Sequence, residues 1–288
     1  MNTILKLSVL LSGICVILLT ITSCGEKSTA TPTPPIEKPD PNKNTGIQIS
    51  QDTNFKSVLT DSVGRALYYF SNDSKGASTC TRDCLTNWPI YYSDRESTDA
   101  NLDKSKVGVI TRADGKKQST YKGWPLYYWK DDKAKEIKGD GVGGIWFVAK
   151  PDYKLMVVNA QLNANNTNYK SDYTLGLGTT LYLTDDEGRS LYFYGDDKFE
   201  KNNFTNANFS NNPIWPIYEK EIGELPSAVK TADIKVITVH GKKQLTYKGR
   251  PLYYWQNDKA RGDNLGFLIG GVGTLWPIAK LNATAAPR

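Results

Sequence analysis

Histidine is almost missing from this chain: one residue in 288, beside two methionines and four cysteines. Zinc centres and Ser-His-Asp relays draw on His and Cys, so neither has the residues it needs. The lone imidazole, His240, stands before Gly241 in what reads as a turn. A basic block is lacking too. The net charge of +6 is spread among interleaved acids, which argues against nucleic acid as a partner. Gly139-Asp-Gly-Val-Gly-Gly144 has neither the Lys nor the Ser/Thr of a phosphate loop. Helical periodicity is scarce, and only Lys220 to Ala232 could hold a short helix.

What is present begins with an export signal. Residues 1–23 comprise a short basic start and an apolar run from Leu7 to Ile21, shorter than the roughly 20 residues a membrane span needs. Ile21-Thr22-Ser23-Cys24 resembles a lipobox, which implies acylation of Cys24 and a lipid-anchored envelope protein held to a membrane. Gly25 follows, not the Asp associated with inner-membrane retention, so the expected location in a diderm is the outer membrane. Residues 24–46 carry Pro32, Pro34, Pro35, Pro39 and Pro41 and read as a tether with a reach of about 70 Å. Cys15 leaves with the signal and Cys24 takes lipid. That leaves Cys80 and Cys84, whose C-x3-C spacing in an oxidising compartment is expected to close a small disulfide.

The folded part repeats Gly-x-x-Leu-Tyr-x4-Asp four times: Gly64, Tyr68, Asp73; Gly123, Tyr127, Asp132; Gly188, Tyr192, Asp197; Gly249, Tyr253, Asp258. Each copy is followed by a tryptophan, at Trp88, Trp146, Trp215 and Trp276. The first and third copies share a Leu-Thr-Asp lead-in at Leu59 and Leu183. The second and fourth share Gly-Lys-Lys-Gln-x-Thr-Tyr-Lys-Gly, from Gly115 and from Gly241. The order is therefore A-B-A′-B′, with repeat 1 at residues 47–162 and repeat 2 at 163–288.

Aromatic runs such as Leu-Tyr-Tyr-Phe have high strand propensity and are bounded by Gly and Asp turn signals. The expected fold is all-β: two tandem antiparallel repeats, each made of two three- to four-stranded units closed by the Trp strand, with a propeller-like arrangement as one option. In this reading Gly sets the turn into each aromatic strand. The Asp at the strand's end caps loop amides or accepts from a Tyr hydroxyl. Trp124 stands where the sister unit has Arg250, which places it at a surface.

As a set, the Tyr-x4-Asp motif, the Thr-Tyr-Lys-Gly-x-Pro-Leu-Tyr block, the Cys-x3-Cys-x3-Trp-Pro segment and the Gly-rich lead into Trp resemble the secreted lipoprotein repeat family, whose function is undefined. Repeat 2 departs from the pattern. It lacks both cysteines and has Thr238-Val-His240-Gly241 in place of Arg112-Ala-Asp114-Gly115, which argues against shared thiol chemistry.

A catalytic pair is rarely needed four times in one chain, so no enzymatic activity, catalytic residue, metal or cofactor is expected. The expected role is a structural or binding module of unknown ligand. One alternative is a glycan-binding or glycan-acting surface protein using exposed aromatics and the carboxylates Asp131-Asp132 and Asp196-Asp197. A second is a metal or redox accessory of the envelope, using the repeated Tyr and Asp. Arg261-Gly-Asp263 is read as coincidence.

Overall fold

Short aromatic and β-branched segments, punctuated by turns, form thirteen strands in the computed structural model, which describes residues 45–288. The signal segment 1–23, Cys24 and all of the tether except Thr45 and Gly46 lie outside the described residues.

In the first half, β1 (Gln48–Asp52) and β2 (Lys56–Thr60) make a hairpin. The aromatic strand β3 (Tyr68–Phe70) follows, and then β4 (Val107–Thr111), β5 (Lys117–Tyr121), β6 (Trp124–Tyr127) and β7 (Trp146–Val148). The last five form one antiparallel sheet in the order β4-β5-β6-β3-β7. In the second half β8 (Leu155–Ala164) pairs with β9 (Thr167–Tyr169) and β10 (Thr179–Asp185). A further sheet holds β11 (Ile234–Val239), β12 (Lys242–Tyr247) and β13 (Arg250–Pro251). β8 straddles the expected junction at residue 162, and all of its pairing is with strands of the second half.

The quarters are fused, not set out as four separate units. Tyr68 of β3 pairs with Tyr127 of β6, joining the first quarter to the second. Tyr192 and Tyr253 meet in the same way through an isolated bridge. The B hairpins turn on two residues, Lys122-Gly123 and Lys248-Gly249, all with positive φ, as a type I′ turn requires. His240-Gly241 does the same between β11 and β12, so His240 is a turn residue. In the A quarters, Asp61 Oδ1 accepts from the Val63 and Arg65 amides, and Asp185 Oδ1 from those of Glu187 and Arg189. These are Asx-type turns that hold the chain at the motif glycine.

Three expectations fail locally. Residues 220–232 form no α-helix: Gly223 and Pro226 interrupt the segment, and only a 3₁₀ turn at Thr231–Asp233 follows. The α-helix among the described residues is α1 (Asp83–Asn87), which begins at the end of the disulfide loop and runs past Cys84. Of the four tryptophans that follow the motifs, only Trp146 lies in a strand; Trp88, Trp215 and Trp276 sit in irregular chain. They are placed by stacking instead. Trp88 and Trp146 lie parallel with ring centres 3.9 Å apart, and Trp215 and Trp276 at 3.6 Å. Trp124 is buried at 2% exposure, contrary to the surface position expected. Its Nε1 donates to the Asp186 carbonyl and the Arg261 guanidinium covers its ring at 4.2 Å, so residues of the second half enclose it.

Candidate functional site

Antiparallel pairing of the motif tyrosines decides where their hydroxyls go. Tyr68 and Tyr127 are cross-strand partners, and each strand runs out toward the other's loop. Tyr68 Oη donates to Asp132 Oδ2, and Tyr127 Oη donates to Asp73 Oδ2 at 2.7 Å. The second half repeats the exchange: Tyr192 Oη to Asp258 at 2.6 Å, and Tyr253 Oη to Asp197 at 2.7 Å. The Asp of each motif thus serves the Tyr of its sister motif, not its own.

The other carboxylate oxygen has an equally regular task. Asp73, Asp132 and Asp197 each accept through Oδ1 from the backbone amide six residues on, at Thr79, Lys138 and Asn203. Asp258 accepts from Leu265, seven residues on. Each aspartate therefore closes its own loop with one oxygen and clamps the sister strand with the other. In the B loops the following amide donates back to the tyrosine: Gly139 N to Tyr68 Oη at 3.2 Å, Gly266 N to Tyr192 Oη at 3.1 Å. A side chain on either glycine would collide with a tryptophan ring, Trp129 and Trp88 around Gly139 and Trp215 near Gly266. Gly139 stands in the glycine-rich segment that the sequence shows is no phosphate loop, whereas Gly266 carries no such signal in the sequence.

All eight groups are buried. Removal from water pushes the Asp73 and Asp258 carboxyls up to about 6 and Asp197 to about 7, and it raises Asp132 as well. Burial, and the carboxylates they face, move the four tyrosines upward. The pairs hold their protons on the phenols. The motif glycines Gly64, Gly123, Gly188 and Gly249 have φ of 85°, 76°, 86° and 73°, a region costly for any other residue.

The second aromatic of each B motif is also claimed. Tyr128 Oη donates to Asp61 at 3.0 Å and Tyr254 Oη to Asp185 at 2.8 Å, while Arg65 and Arg189 stack on the same two rings. Cys80 and Cys84 are joined, with Cys80 buried against Tyr68, Tyr127 and Trp146. In the second half Phe204 follows Asn203 as Cys80 follows Thr79, and its ring meets Tyr253 and Trp276 edge-on. An aromatic ring there meets the second half's Tyr253 and Trp276, the counterparts of the Tyr127 and Trp146 that share a core cluster with Cys80.

The sequence profile of a family described as a secreted repeat of unknown function matches residues 52–91, 108–150 and 235–280. The chain carries the secreted repeat. Three quarters are matched by sequence, and the third, around Gly188 to Asp197, completes the same Tyr–Asp exchange in space. No curated protein and no solved structure matches the chain. Among the described residues no helix is long and apolar enough to cross a membrane, and no three His, Cys, Asp or Glu side chains converge as a metal site would require. Of the carboxylates weighed for glycan chemistry, Asp132 and Asp197 are consumed by the exchange, while Asp131 pairs with Lys130.

Several open features are large enough to hold a ligand. A cleft of about 810 Å³ lies between the loop that follows β3 and the β8–β9 edge with residues 262–265. Neither repeat builds it alone.

Proposed function

We propose that this chain is a lipid-anchored envelope protein whose secreted repeats form a rigid, non-enzymatic binding module. The observation that carries this reading is the burial of all four Tyr–Asp pairs, each phenol on the sister motif's carboxylate. Groups spent on fastening the fold are closed to a substrate, so the ligand-facing surface lies elsewhere. The inter-repeat cleft, about 810 Å³, is one surface of suitable size. Acylation of Cys24 would present that surface beyond the Pro-rich tether.

Two measurements test the reading. Cells fed a palmitate analogue should label the wild-type protein, while Cys24→Ala should lose the label and be shed; an unlabelled wild type removes the anchor. For the module, Tyr127→Phe should lower the melting temperature without altering any ligand affinity. Unchanged melting with loss of ligand or turnover would put the Tyr–Asp pair in a functional site instead.

A further inference from the structure

Carboxamides dominate the inter-repeat cleft. Asn72 comes from the first half, and Asn159, Gln161, Asn163, Asn168 and Asn264 from the second. They are organised in two layers. The inner layer is spent on the backbone: Gln161 Nε2 donates to the Tyr169 carbonyl, Asn264 Nδ2 donates to the Gln161 carbonyl, and Asn264 Oδ1 accepts from the Asn163 amide. The outer layer is two bonded pairs. Asn159 Nδ2 donates to Asn72 Oδ1 at 2.9 Å, and Asn163 Nδ2 donates to Asn168 Oδ1 at 2.6 Å. Each pair uses one group on each residue. Asn159 Oδ1, Asn72 Nδ2, Asn163 Oδ1 and Asn168 Nδ2 make no other hydrogen bond among the described residues.

We propose that this cleft binds an uncharged polysaccharide chain, an inference that rests on the binding-module reading. A sugar hydroxyl both donates and accepts, and each Asn pair offers one free acceptor beside one free donor. The bond within each pair fixes both side chains before a ligand arrives, which reduces the ordering cost of binding. Charge selects against polyanions and polycations alike. Lys75 and Asp263 are the charged residues of the lining, and Asp263 Oδ2 is occupied by the Lys259 and Ala260 amides. A peptide added as a strand would need an open sheet edge, and the outer edge of β9 is covered by the chain's own return at Thr174 to Gly176. Phe70 and Ala160 add apolar surface to the lining, which suits the carbon face of a pyranose ring.

The test uses the full lipidated chain in detergent with defined probes: cello-, manno- and xylohexaose, hexagalacturonate, and an uncharged hexapeptide. Calorimetry should show saturable binding of at least one neutral hexasaccharide and none of hexagalacturonate. Asn159→Ala and Asn168→Ala should each weaken that binding about two- to tenfold, the worth of one or two neutral hydrogen bonds, with melting unchanged. Amide exchange should slow at residues 72–81 and 159–168 when the sugar is added. Binding that survives both substitutions, or a preference for hexagalacturonate, overturns the proposal. Peptide binding lost in the same variants overturns the glycan assignment and leaves the binding module standing. No probe altering exchange in the cleft removes both.

Discussion

A phenol donating to a buried carboxylate is a bond whose removal leaves the carboxylate stranded. Replacing Tyr192 by Phe deletes the hydroxyl that Asp258 accepts from, and with it the acceptor for the Gly266 amide. Leaving such groups unsatisfied costs about 1–3 kcal/mol, which in a domain of this size lowers the melting temperature by roughly 2 to 10 °C. Asp258→Ala should cost at least as much, because the Leu265 amide loses its acceptor too. Calorimetric melting of the two variants checks both figures. The same burial sets a pH dependence. Asp73, Asp197 and Asp258 bind protons more tightly folded than unfolded, since their folded values of about 6, 7 and 6 exceed the unfolded 3.8. Such groups stabilise fully below the unfolded value, and the gain is lost as pH rises through the folded one. Melting temperature should therefore climb as pH falls from 8 to 5. Asp197→Asn, which cannot titrate, should flatten that climb. A melting temperature that falls steadily across this window would contradict the assigned burial effect.

At the level of elements, the repeat's spacing announced most of the architecture and little of the wiring. The four motifs, the A-B-A′-B′ order, the all-β class and the Cys80–Cys84 bond were legible because each is local: a turn residue, an aromatic run, a four-residue separation. The exchange of Tyr and Asp between sister motifs was not, since it depends on Tyr68 pairing with Tyr127 across 59 residues, and spacing within one motif carries no trace of that. The repeat pattern places Trp88, Trp215 and Trp276 in closing strands, yet ring stacking fixes them. That stacking makes its own prediction. Trp215 is 3% exposed between Trp255 and Trp276, so Trp215→Ala should cost about 3–5 kcal/mol, near the loss for a large core aromatic. Reducing the disulfide should cost less, about 2 kcal/mol for so short a loop. Thermal melts with and without reductant compare the two. A reduction penalty larger than the tryptophan's would mean that the disulfide contributes more to the first half than the Trp stack does to the second.

At the scale of the whole molecule, the question is what couples the repeats, and Arg261 stands at the answer. Its guanidinium lies over Trp124 of the first half, and its Nη1 donates to the carbonyls of Lys122 and Glu187. Side chains on the motif glycines Gly123 and Gly188 would press into it. The glycines of motifs two and three thus open the space that a residue just after motif four fills. Burial lowers the Arg261 pKa to about 10, still far above neutrality, so the cation persists. Trp124 and Arg250 hold the same place in their units but meet different surroundings. Trp124 meets the next repeat, whereas Arg250 bonds the Thr284 and Ala285 carbonyls of the final segment. Arg261→Ala should loosen the halves from each other while leaving both Tyr–Asp exchanges intact. Calorimetry should then resolve two transitions where the wild type gives one. Arg261→Lys should not restore the single transition, because an ammonium cannot stack flat on the indole while its donors reach two carbonyls. If Arg261→Ala still melts in one transition of unchanged width, the repeats are joined by their other contacts, such as Trp124 on the Asp186 carbonyl and the Lys122–Asp186 pair, and the guanidinium is filler.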